Sequence, residues 1–353
     1  MKTRSLVCFL LFICASILIV SGQTVSPWQK EIDAARQEIE KDVKAHTAKA
    51  KLTLRVVDSQ GGIVTNADAM INITCFEKDN AVSGKTDKSG IFGAERMGTD
   101  GSCVYRVSKE GFYDTRGRYF FKDGILEQSL LDKRWAPWNP TVDIILKEKK
   151  KPIPLYVWQS KIVRFPKGKE VGFDCKEGDL LAPHGKGTQA DFTFFYTSEF
   201  NPETAGAFST GGLTNRMVVS AGEDGGFIVR PKDTFSGLWS VYQAPENGYQ
   251  SNLVYDVERA NGKMVKDSRL SDTDYLIFKS RIKKNEKGEI TSANYGKLYV
   301  FGYGEGGERT PSEMGSVMVD CYFNPTPNDR NIEADPLTDL SSKQHWKFPR
   351  FAP

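Results

Sequence analysis

Histidine is scarce in this chain of 353 residues, and its three histidines lie far apart in the sequence. His46, His184 and His345 belong to no H-E-x-x-H motif and lie near no C-x-x-C pair, which excludes zinc sites of those types. No G-x-S-x-G motif occurs, and no cysteine has an evident histidine partner for nucleophilic catalysis. We therefore expect no catalytic residue, no metal site and no cofactor.

The sequence also lacks an excess of either charge. Lysine and arginine total 48 against 45 aspartate and glutamate residues, which gives a formal net charge of +3. Proteins that bind polyanions over a broad surface carry a strong basic excess, and this chain does not. We therefore expect no nucleic-acid partner.

Long apolar runs are missing beyond the N-terminus. Lys2 and Arg4 precede the apolar run Leu6–Val20, and Gly22 supplies a small residue at the end of this segment. A basic start, a short apolar run and a small residue before a polar sequence predict a signal peptide of residues 1–22. The run is shorter than the roughly 20 residues that span a bilayer, so an uncleaved anchor is the less favoured alternative. We expect a secreted or periplasmic protein without further membrane contact.

One helix is predicted, within a spacer of residues 23–51. Apolar residues recur at spacings of three and four over Trp28–Lys51, and charged residues fill the other faces; the apolar positions are Ile32, Ala35, Ile39 and Val43. This narrow stripe predicts a charged helix that docks one edge on the following domain. A dimerising stalk is the alternative, although the pattern covers barely two heptads.

The rest of the chain has the pattern of short strands separated by turn residues. Alternating apolar and polar residues predict a first β-sandwich over residues 52–150. The charged and proline-containing stretch Lys147–Pro154 predicts a solvated connector. Residues 151–323 predict a second, larger all-β domain of the sandwich or jelly-roll type, and residues 324–353 a proline-rich tail that wraps the surface or moves. The predicted fold class is all-β, preceded by one short helix.

Two tryptophans beside prolines are the candidates for ligand contact. Trp135 and Trp138 lie in the segment W-A-P-W-N-P, just before a predicted strand. Such rings stack on a sugar face or on another protein. The favoured alternative is that they seal the joint between the two domains.

Three other motifs receive structural interpretations. Gly302–Gly307 matches G-x-G-x-x-G, but the residues around it have a β pattern, so it predicts a hairpin turn rather than a dinucleotide site. The pairs Glu223-Asp224 and Asp272-x-Asp274 predict turns and solvated surface. A glycosidase would need two carboxylates facing each other roughly 5–10 Å apart, and sequence spacing does not establish that.

Four cysteines follow the predicted signal peptide. An even number in an exported chain predicts disulfides, and four cysteines allow three connectivities. Domain membership favours Cys75 with Cys103 in the first sandwich, and Cys175 with Cys321 in the opening and closing strands of the second domain. Buried free thiols are the alternative.

The first sandwich resembles a known family. It carries V-D-x-x-G at Val57–Gly61, T-D-x-x-G-x-F at Thr86–Phe92 and Y-x-V-x-K-x-G-F at Tyr105–Phe112. The Asp and Gly residues of the first two motifs, Asp58 with Gly61 and Asp87 with Gly90, predict turns. These motifs resemble the carboxypeptidase regulatory-like, transthyretin-like sandwich, which implies an accessory module without catalytic residues. The metallocarboxypeptidase domain of that family has no counterpart, because its H-x-x-E pair is missing.

The whole chain also resembles secreted bacterial proteins with two β domains. This resemblance rests on Trp138–Val142, Lys151–Tyr156 and Asn324–Asn331, and it implies a two-domain unit but no reaction. Taken together, the sequence predicts a secreted or periplasmic, non-enzymatic binding or structural protein that contacts a surface polymer or a partner protein. The expected partner is a carbohydrate or a protein. The alternative is a hydrolase that acts on glycans or peptides through the second domain.

Overall fold

A computed structural model describes residues 27–75, 80–122, 124–127, 133–201, 212–233, 235–260, 263–305 and 313–341. Helix α1 spans Pro27–His46. Among the residues in these ranges, no helix is long and apolar enough to cross a membrane. The predicted signal peptide lies outside them.

Strands make up most of the described chain. The first nine are β1 (Ala48–Asp58), β2 (Asp68–Ile73), β3 (Ala81–Lys85), β4 (Ile91–Gly98), β5 (Ser102–Ser108), β6 (Thr115–Phe120), β7 (Ile125–Glu127), β8 (Lys133–Trp135) and β9 (Thr141–Leu146). The next twelve are β10 (Ile153–Pro166), β11 (Glu170–Asp174), β12 (Asp179–Leu180), β13 (Phe192–Asn201), β14 (Gly212–Ser220), β15 (Gly226–Pro231), β16 (Asn252–Ala260), β17 (Lys263–Asp267), β18 (Asp274–Lys284), β19 (Ile290–Glu305), β20 (Met314–Asn324) and β21 (Ala334–Asp339). The prediction of an all-β chain preceded by one short helix is confirmed.

Strands β1–β9 form two sheets, and we call them the first β unit. Sheet 1 has the order β4-β1-β8-β7, with β9 also paired to β1, and sheet 2 has the order β3-β2-β5-β6. Alternate residues of β1 point inward, as the period of two predicts, and they are fully or almost fully buried: Ala48, Ala50, Leu52, Leu54 and Val56. They pack against Ile71 and Ile73 of sheet 2 in one apolar core. The unit is a β-sandwich.

Two aspartates shape the turns of this unit. Asp58 Oδ1 accepts the amides of Gln60 and Gly62, both at 2.8 Å. Asp87 Oδ1 accepts the amides of Ser89 and Ile91 at 2.8 and 2.9 Å. The side chains therefore close turns with hydrogen bonds to their own backbone, as the sequence motifs indicate.

Strands β10–β21 form the second β unit, which also has two sheets. Sheet 3 has the order β15-β18-β19-β20-β10-β21, and sheet 4 has the order β12-β11-β13-β14-β16-β17. Between them lies an aromatic core that includes Phe165, Phe173, Phe192, Phe194 and Phe278. The opposite face of sheet 3 is covered as well, by a second cluster rich in tyrosine. Sheet 3 is therefore buried on both faces.

The two units meet at a joint that is closed by Glu333. Its carboxylate accepts the amides of Lys150 and Lys151, both at 2.8 Å, and the hydroxyl of Tyr113 at 3.0 Å. From the other side, Lys147 Nζ donates to Leu238 O and forms an ion pair with Asp233, both at 3.0 Å. The carboxylate thus binds groups of the first unit and of the connector at once.

Three segments differ from the sequence-based expectation. Helix α1 ends at His46 rather than at residue 51, because Ala48 begins the buried alternation of β1. The connector is bonded to the second unit and is not simply solvated. The described part of the predicted tail, residues 324–341, contains strand β21 and buries Ile332, Glu333 and Ala334. Residues 342–353 lie outside the described ranges.

Candidate functional site

A polar cavity opens on the second β unit, where three segments of the chain converge. It has a volume of about 290 Å³. Its side chains come from the 221–225 loop after β14, from the 245–251 loop before β16 and from strand β18; they are Glu223, Asp224, Asn247, Tyr249, Ser251 and Lys279. Hydrogen-bonding and charged groups dominate this lining, so the cavity is suited to a hydrophilic molecule.

Glycine backbone lets the loops approach closely at this cavity. A Cβ at Gly225 would lie 2.2 Å from the carbonyl oxygen of Ala221 and 2.7 Å from that of Lys279. The amide of Phe227 donates to the carbonyl of Gln250 at 2.8 Å, and the reverse bond measures 3.0 Å. The 245–251 loop is thereby fixed against β15. From the sequence, the pair Glu223-Asp224 predicted only a turn and solvated surface here.

Opposite charges face this cavity. Lys279 Nζ lies 5.3 Å from the centre of the Tyr249 ring, and Glu223 lines the same cavity from the neighbouring loop. Asp224 is paired with Lys284 at 2.5 Å, and its hydrogen bond raises the pKa of that lysine. Burial raises the pKa of Tyr249, whose hydroxyl donates to the carbonyl of Pro245 at 2.8 Å. The tyrosine is therefore a neutral ring at physiological pH.

A second cluster lies in the core of the same unit, around Cys175 and Cys321. Their sulfur atoms are 3.3 Å apart, and both residues are fully buried. Burial is the main cause that raises the pKa of the Cys175 thiol well above its usual value. A thiol of this kind is protonated and unreactive at neutral pH.

Two carboxylates are buried beside these thiols, and a half-buried arginine pairs with both. Arg281 Nε and Nη2 each donate to Asp191 at 2.9 Å, and Nη2 also donates to Asp174 at 2.7 Å. Ser280 Oγ donates to Asp191 at 2.7 Å as well. Burial raises the pKa of Asp174, but the amides of Thr188 and Gln189 and the charge of Arg281 outweigh it, and the net shift is downward. The group is a satisfied ion network in the protein interior.

The backbone at Arg281 explains how two consecutive residues reach one carboxylate. In a regular strand, Ser280 and Arg281 would point to opposite faces. The register of β18 against β19 shifts between Ser280 and Lys283, and Arg281 has a φ of +52°. This left-handed residue at a bulge turns both side chains toward Asp191.

A lysine is completely buried on the other face of sheet 3. Lys297 Nζ donates to Ser240 Oγ at 2.8 Å and lies 5.2 and 5.1 Å from the ring centres of Tyr299 and Tyr322. Burial, with a smaller contribution from Lys147, lowers the pKa of Lys297 well below its usual value. Since the residue has no exposed surface, it is not positioned to meet a ligand.

The structure places the two predicted stacking residues differently. Trp135 is only 8% exposed and packs in the first core, where its Nε1 donates to the carbonyl of Gly98 at 3.1 Å. It lies in the first sandwich and leaves little surface for a ligand. Trp138 is half-buried, and the guanidinium of Arg134 lies 4.8 Å from its ring centre. Stacking of a ligand on these rings stays a prediction.

The four cysteines are all unbonded in the structure. Cys103 is opposite Ile73 in the register of β5 with β2, so Cys75, two residues further, occupies a diagonal position. Diagonal neighbours in antiparallel sheets are roughly 7–8 Å apart at Cα, beyond the usual reach of a disulfide. The Cys75–Cys103 bridge stays a prediction.

Of the other sequence motifs, only the pair Glu223-Asp224 lies at the cavity. His184 is exposed, and His345 lies outside the described residues. Gly302–Glu305 ends strand β19, which pairs antiparallel with β20, and Gly306 and Gly307 lie outside the described residues. The pair Glu223-Asp224 lines the cavity, while the Asp272 carbonyl accepts Lys232 Nζ at 2.7 Å. Within the described ranges, no group of three or more His, Cys, Asp or Glu side chains is arranged to hold a metal ion.

Sequence reasoning missed Arg281, Lys297 and Glu333. Lys297 lies in the alternating pattern of β19, where a lysine usually marks a solvated position. Glu333 lies in a polar segment that predicted surface chain. Lys297 and Glu333 are buried, and Arg281 is half-buried, because partners far away in the sequence meet them, so no local signal indicated their roles.

Comparisons with known proteins give only distant similarities. No protein-family model and no curated protein matches the chain. A 3-chlorocatechol 1,2-dioxygenase from Rhodococcus opacus 1CP is 11% identical over 29% of this chain and 60% of its own, with a TM-score of 0.23. Hydroxyquinol 1,2-dioxygenase from Pseudomonas putida DLL-E4 is 11% identical over 29% and 57%, with a TM-score of 0.22. Chlorocatechol 1,2-dioxygenase from Pseudomonas putida is 10% identical over 41% and 96%, with a TM-score of 0.22.

These matches correct one expectation and carry nothing further. The predicted non-enzymatic binding or structural role is contradicted, because the three solved structures named above are all enzymes. Neither a structural protein that contacts a surface polymer or a partner protein nor the hydrolase alternative is retained. The chain spans 60% and 57% of the first two proteins, and at these TM-scores no reaction, metal or substrate transfers to it.

Proposed function

We propose that the second β unit binds a small polar molecule in the cavity between the 221–225 and 245–251 loops. The observation that carries this proposal is the convergence of a carboxylate, an ammonium group and a tyrosine ring on one cavity with a glycine backbone beneath. Small-molecule sites are concave and use a few convergent polar groups to orient the ligand. This cavity has such convergent polar groups, although polar rather than apolar groups make up most of its lining.

The charges define the class of ligand. Glu223 attracts a cationic group, and Lys279 attracts an anionic one. A zwitterion of amino-acid size satisfies both at once, and its remaining polar atoms reach the amide of Asn247 and the hydroxyl of Ser251. Since Asp224 is already paired with Lys284, it serves to position the loop.

We further propose that the first β unit is an accessory sandwich of the carboxypeptidase regulatory-like type. Its three motifs support this assignment, and two of them form the Asp58 and Asp87 turns. Its buried polar residues are Thr86, Ser102 and Thr115. In this proposal the first unit supports the second unit structurally, and the ligand binds only in the cavity of the second unit.

Export from the cytoplasm is part of the same proposal. The basic start, the apolar run Leu6–Val20 and Gly22 support a signal peptide of residues 1–22. Expression in a bacterium with an intact export pathway, followed by intact-mass measurement of the exported chain, tests it. A chain that begins at Gln23 is expected, and one that retains Met1 contradicts it.

The ligand proposal is tested by calorimetry with a panel of free amino acids, monosaccharides and hydroxy acids. We expect at least one amino acid to bind, and Lys279→Gln and Glu223→Gln each to weaken it by about tenfold through loss of one charged contact. Lys283→Gln and Glu286→Gln are matched controls on exposed positions outside the lining, and they leave binding unchanged. Absence of binding across the panel, or equal effects of the controls, contradicts the proposal.

A further inference from the structure

The thiols of Cys175 and Cys321 face each other across the core of the second β unit. Cys175 follows β11 directly in sheet 4, while Cys321 lies in β20, an inner strand of sheet 3. Both are fully buried, and their sulfur atoms are 3.3 Å apart. A disulfide has an S–S bond of about 2.0 Å, so the two sulfur atoms need to approach by little more than 1 Å.

The backbone of Cys175 is held from both sides of the core. Its amide donates to Asp191 Oδ2 at 2.7 Å, and its carbonyl accepts Trp158 Nε1 at 2.8 Å. Trp158 is opposite Cys321 in the register of β10 with β20. The same tryptophan therefore touches one cysteine through its ring nitrogen and neighbours the other through the sheet.

Arg281 adds a second tie between the sheets at this point. It leaves β18 of sheet 3 and bonds Asp191, which in turn holds the amide of Cys175. Ser280 bonds the same carboxylate. These polar contacts thus hold the backbone of Cys175 against sheet 3, the sheet that carries Cys321.

We propose that Cys175 and Cys321 form a disulfide that joins sheet 3 to sheet 4. The closed sandwich protects this disulfide from thiol reductants. Formation breaks two S–H bonds and makes one S–S bond. The two electrons and two protons pass to a dithiol–disulfide oxidant, a protein or glutathione disulfide, which is reduced to its thiols. Exchange takes place before the sandwich closes, because the buried thiols are afterwards out of reach of any partner.

Peptide mapping tests the bond in the intact chain, without any core substitution. The full chain with Cys8→Ser and Cys14→Ser keeps only the four cysteines discussed above. It is refolded in a glutathione redox buffer, alkylated in urea and digested without reductant. We expect a linked peptide pair that contains Cys175 and Cys321 and disappears on reduction. Finding the two residues alkylated on separate peptides, or linked to Cys75 or Cys103, overturns the proposal.

Shielding is measured by the rate at which dithiothreitol breaks the bond. Because reduction of the native protein requires local opening of the sandwich, we expect it to be at least about 100-fold slower than in urea. If dithiothreitol reduces the bond at the same rate with and without urea, the sandwich does not protect the disulfide, and that part of the proposal is wrong. Reduction followed by refolding is expected to lower the melting temperature by on the order of 10 °C, since the bond closes a long loop. The variant Cys175→Ala/Cys321→Ala is the control, and its melting temperature is insensitive to the reductant.

Discussion

The two β units place polar residues in opposite ways. In the first unit the core is apolar, and its charged pairs, such as Arg55 with Asp143, lie on the surface. In the second unit two ion-paired carboxylates and a lysine are buried with the aromatic residues. Burial of charge is costly unless every group is paired, so the second unit depends on many distant contacts being correct at once. The first unit depends mainly on the alternation of its strands.

The strongest test of this contrast replaces the same kind of arginine in each unit. Arg281→Met leaves Asp174 and Asp191 as buried carboxylates without their cation, which is expected to reduce the free energy of unfolding by about 3–5 kcal/mol. Urea denaturation measures the effect.

Arg55→Met is the matched control. Arg55 also makes two bonds to one aspartate, each at 2.6 Å, but that pair is exposed. We expect a much smaller change, because water solvates the remaining carboxylate. Equal losses in the two variants would contradict the contrast between the units.

The joint between the units is tested by Glu333→Gln. An amide in place of the carboxylate turns an N–H group toward one of the two backbone amides that Glu333 binds, so we expect a loss of about 1.5–3 kcal/mol. Trypsin cleavage after Lys149 and Lys150 should become faster, whereas the Lys151–Pro152 bond resists trypsin. Glu246→Gln removes an exposed partner of Arg330 and serves as the control. An unchanged cleavage rate in Glu333→Gln would speak against the joint.

The buried lysine predicts a change of opposite sign. Lys297→Met is expected to stabilise the protein by about 1–2 kcal/mol at pH 7, because the unfolded chain binds a proton that burial disfavours in the folded chain. The pKa of Lys297 is lower in the folded protein than in the unfolded chain, so the charged lysine destabilises the fold. This destabilisation is fully present at pH values below the pKa in the folded protein, and it vanishes as the pH rises through the pKa in the unfolded chain, about 10.4. The advantage of the variant should therefore shrink between pH 7 and pH 10. If the two proteins differed in free energy of unfolding by the same amount at pH 7 and pH 10, this prediction would be wrong.

The smallest effect is expected at a turn of the first unit. Asp87→Ala removes the acceptor of two backbone amides in an exposed turn, at a cost of about 1 kcal/mol. Asp68→Ala removes an exposed aspartate of the same unit that only pairs with Lys85, and is expected to be neutral. A thermal melt separates the two, and equal melting temperatures would show that the turn bonds add nothing.

The sequence predicted those features of the fold that depend on residues close together in the chain. The alternation of Leu52, Leu54 and Val56 in β1 and the turns at Asp58 and Asp87 involve contacts within a strand or a few residues, and the structure contains them. The helix end was predicted too late, because the charged spacer pattern continues into the start of β1.

Contacts between distant residues were not predictable in this way. Arg281 and Asp191 are 90 residues apart, and the bulge that turns Arg281 inward has no turn residue to mark it. Glu333 lies about 180 residues from the amides that it binds. At the cavity, the sequence indicated only a turn at Glu223-Asp224, and nothing in it showed that the 221–225 and 245–251 loops meet.

The position of Glu333 also sets an order of assembly. During synthesis, residues 48–146 leave the ribosome with all the strands of the first unit, and domains fold as units from the N-terminus. Strand β10, by contrast, pairs with β20 and β21, which are made more than 140 residues later. The carboxylate that closes the joint arrives between these two strands. The first unit is therefore expected to fold first, and its contact with the second unit forms only after Glu333 has been synthesised.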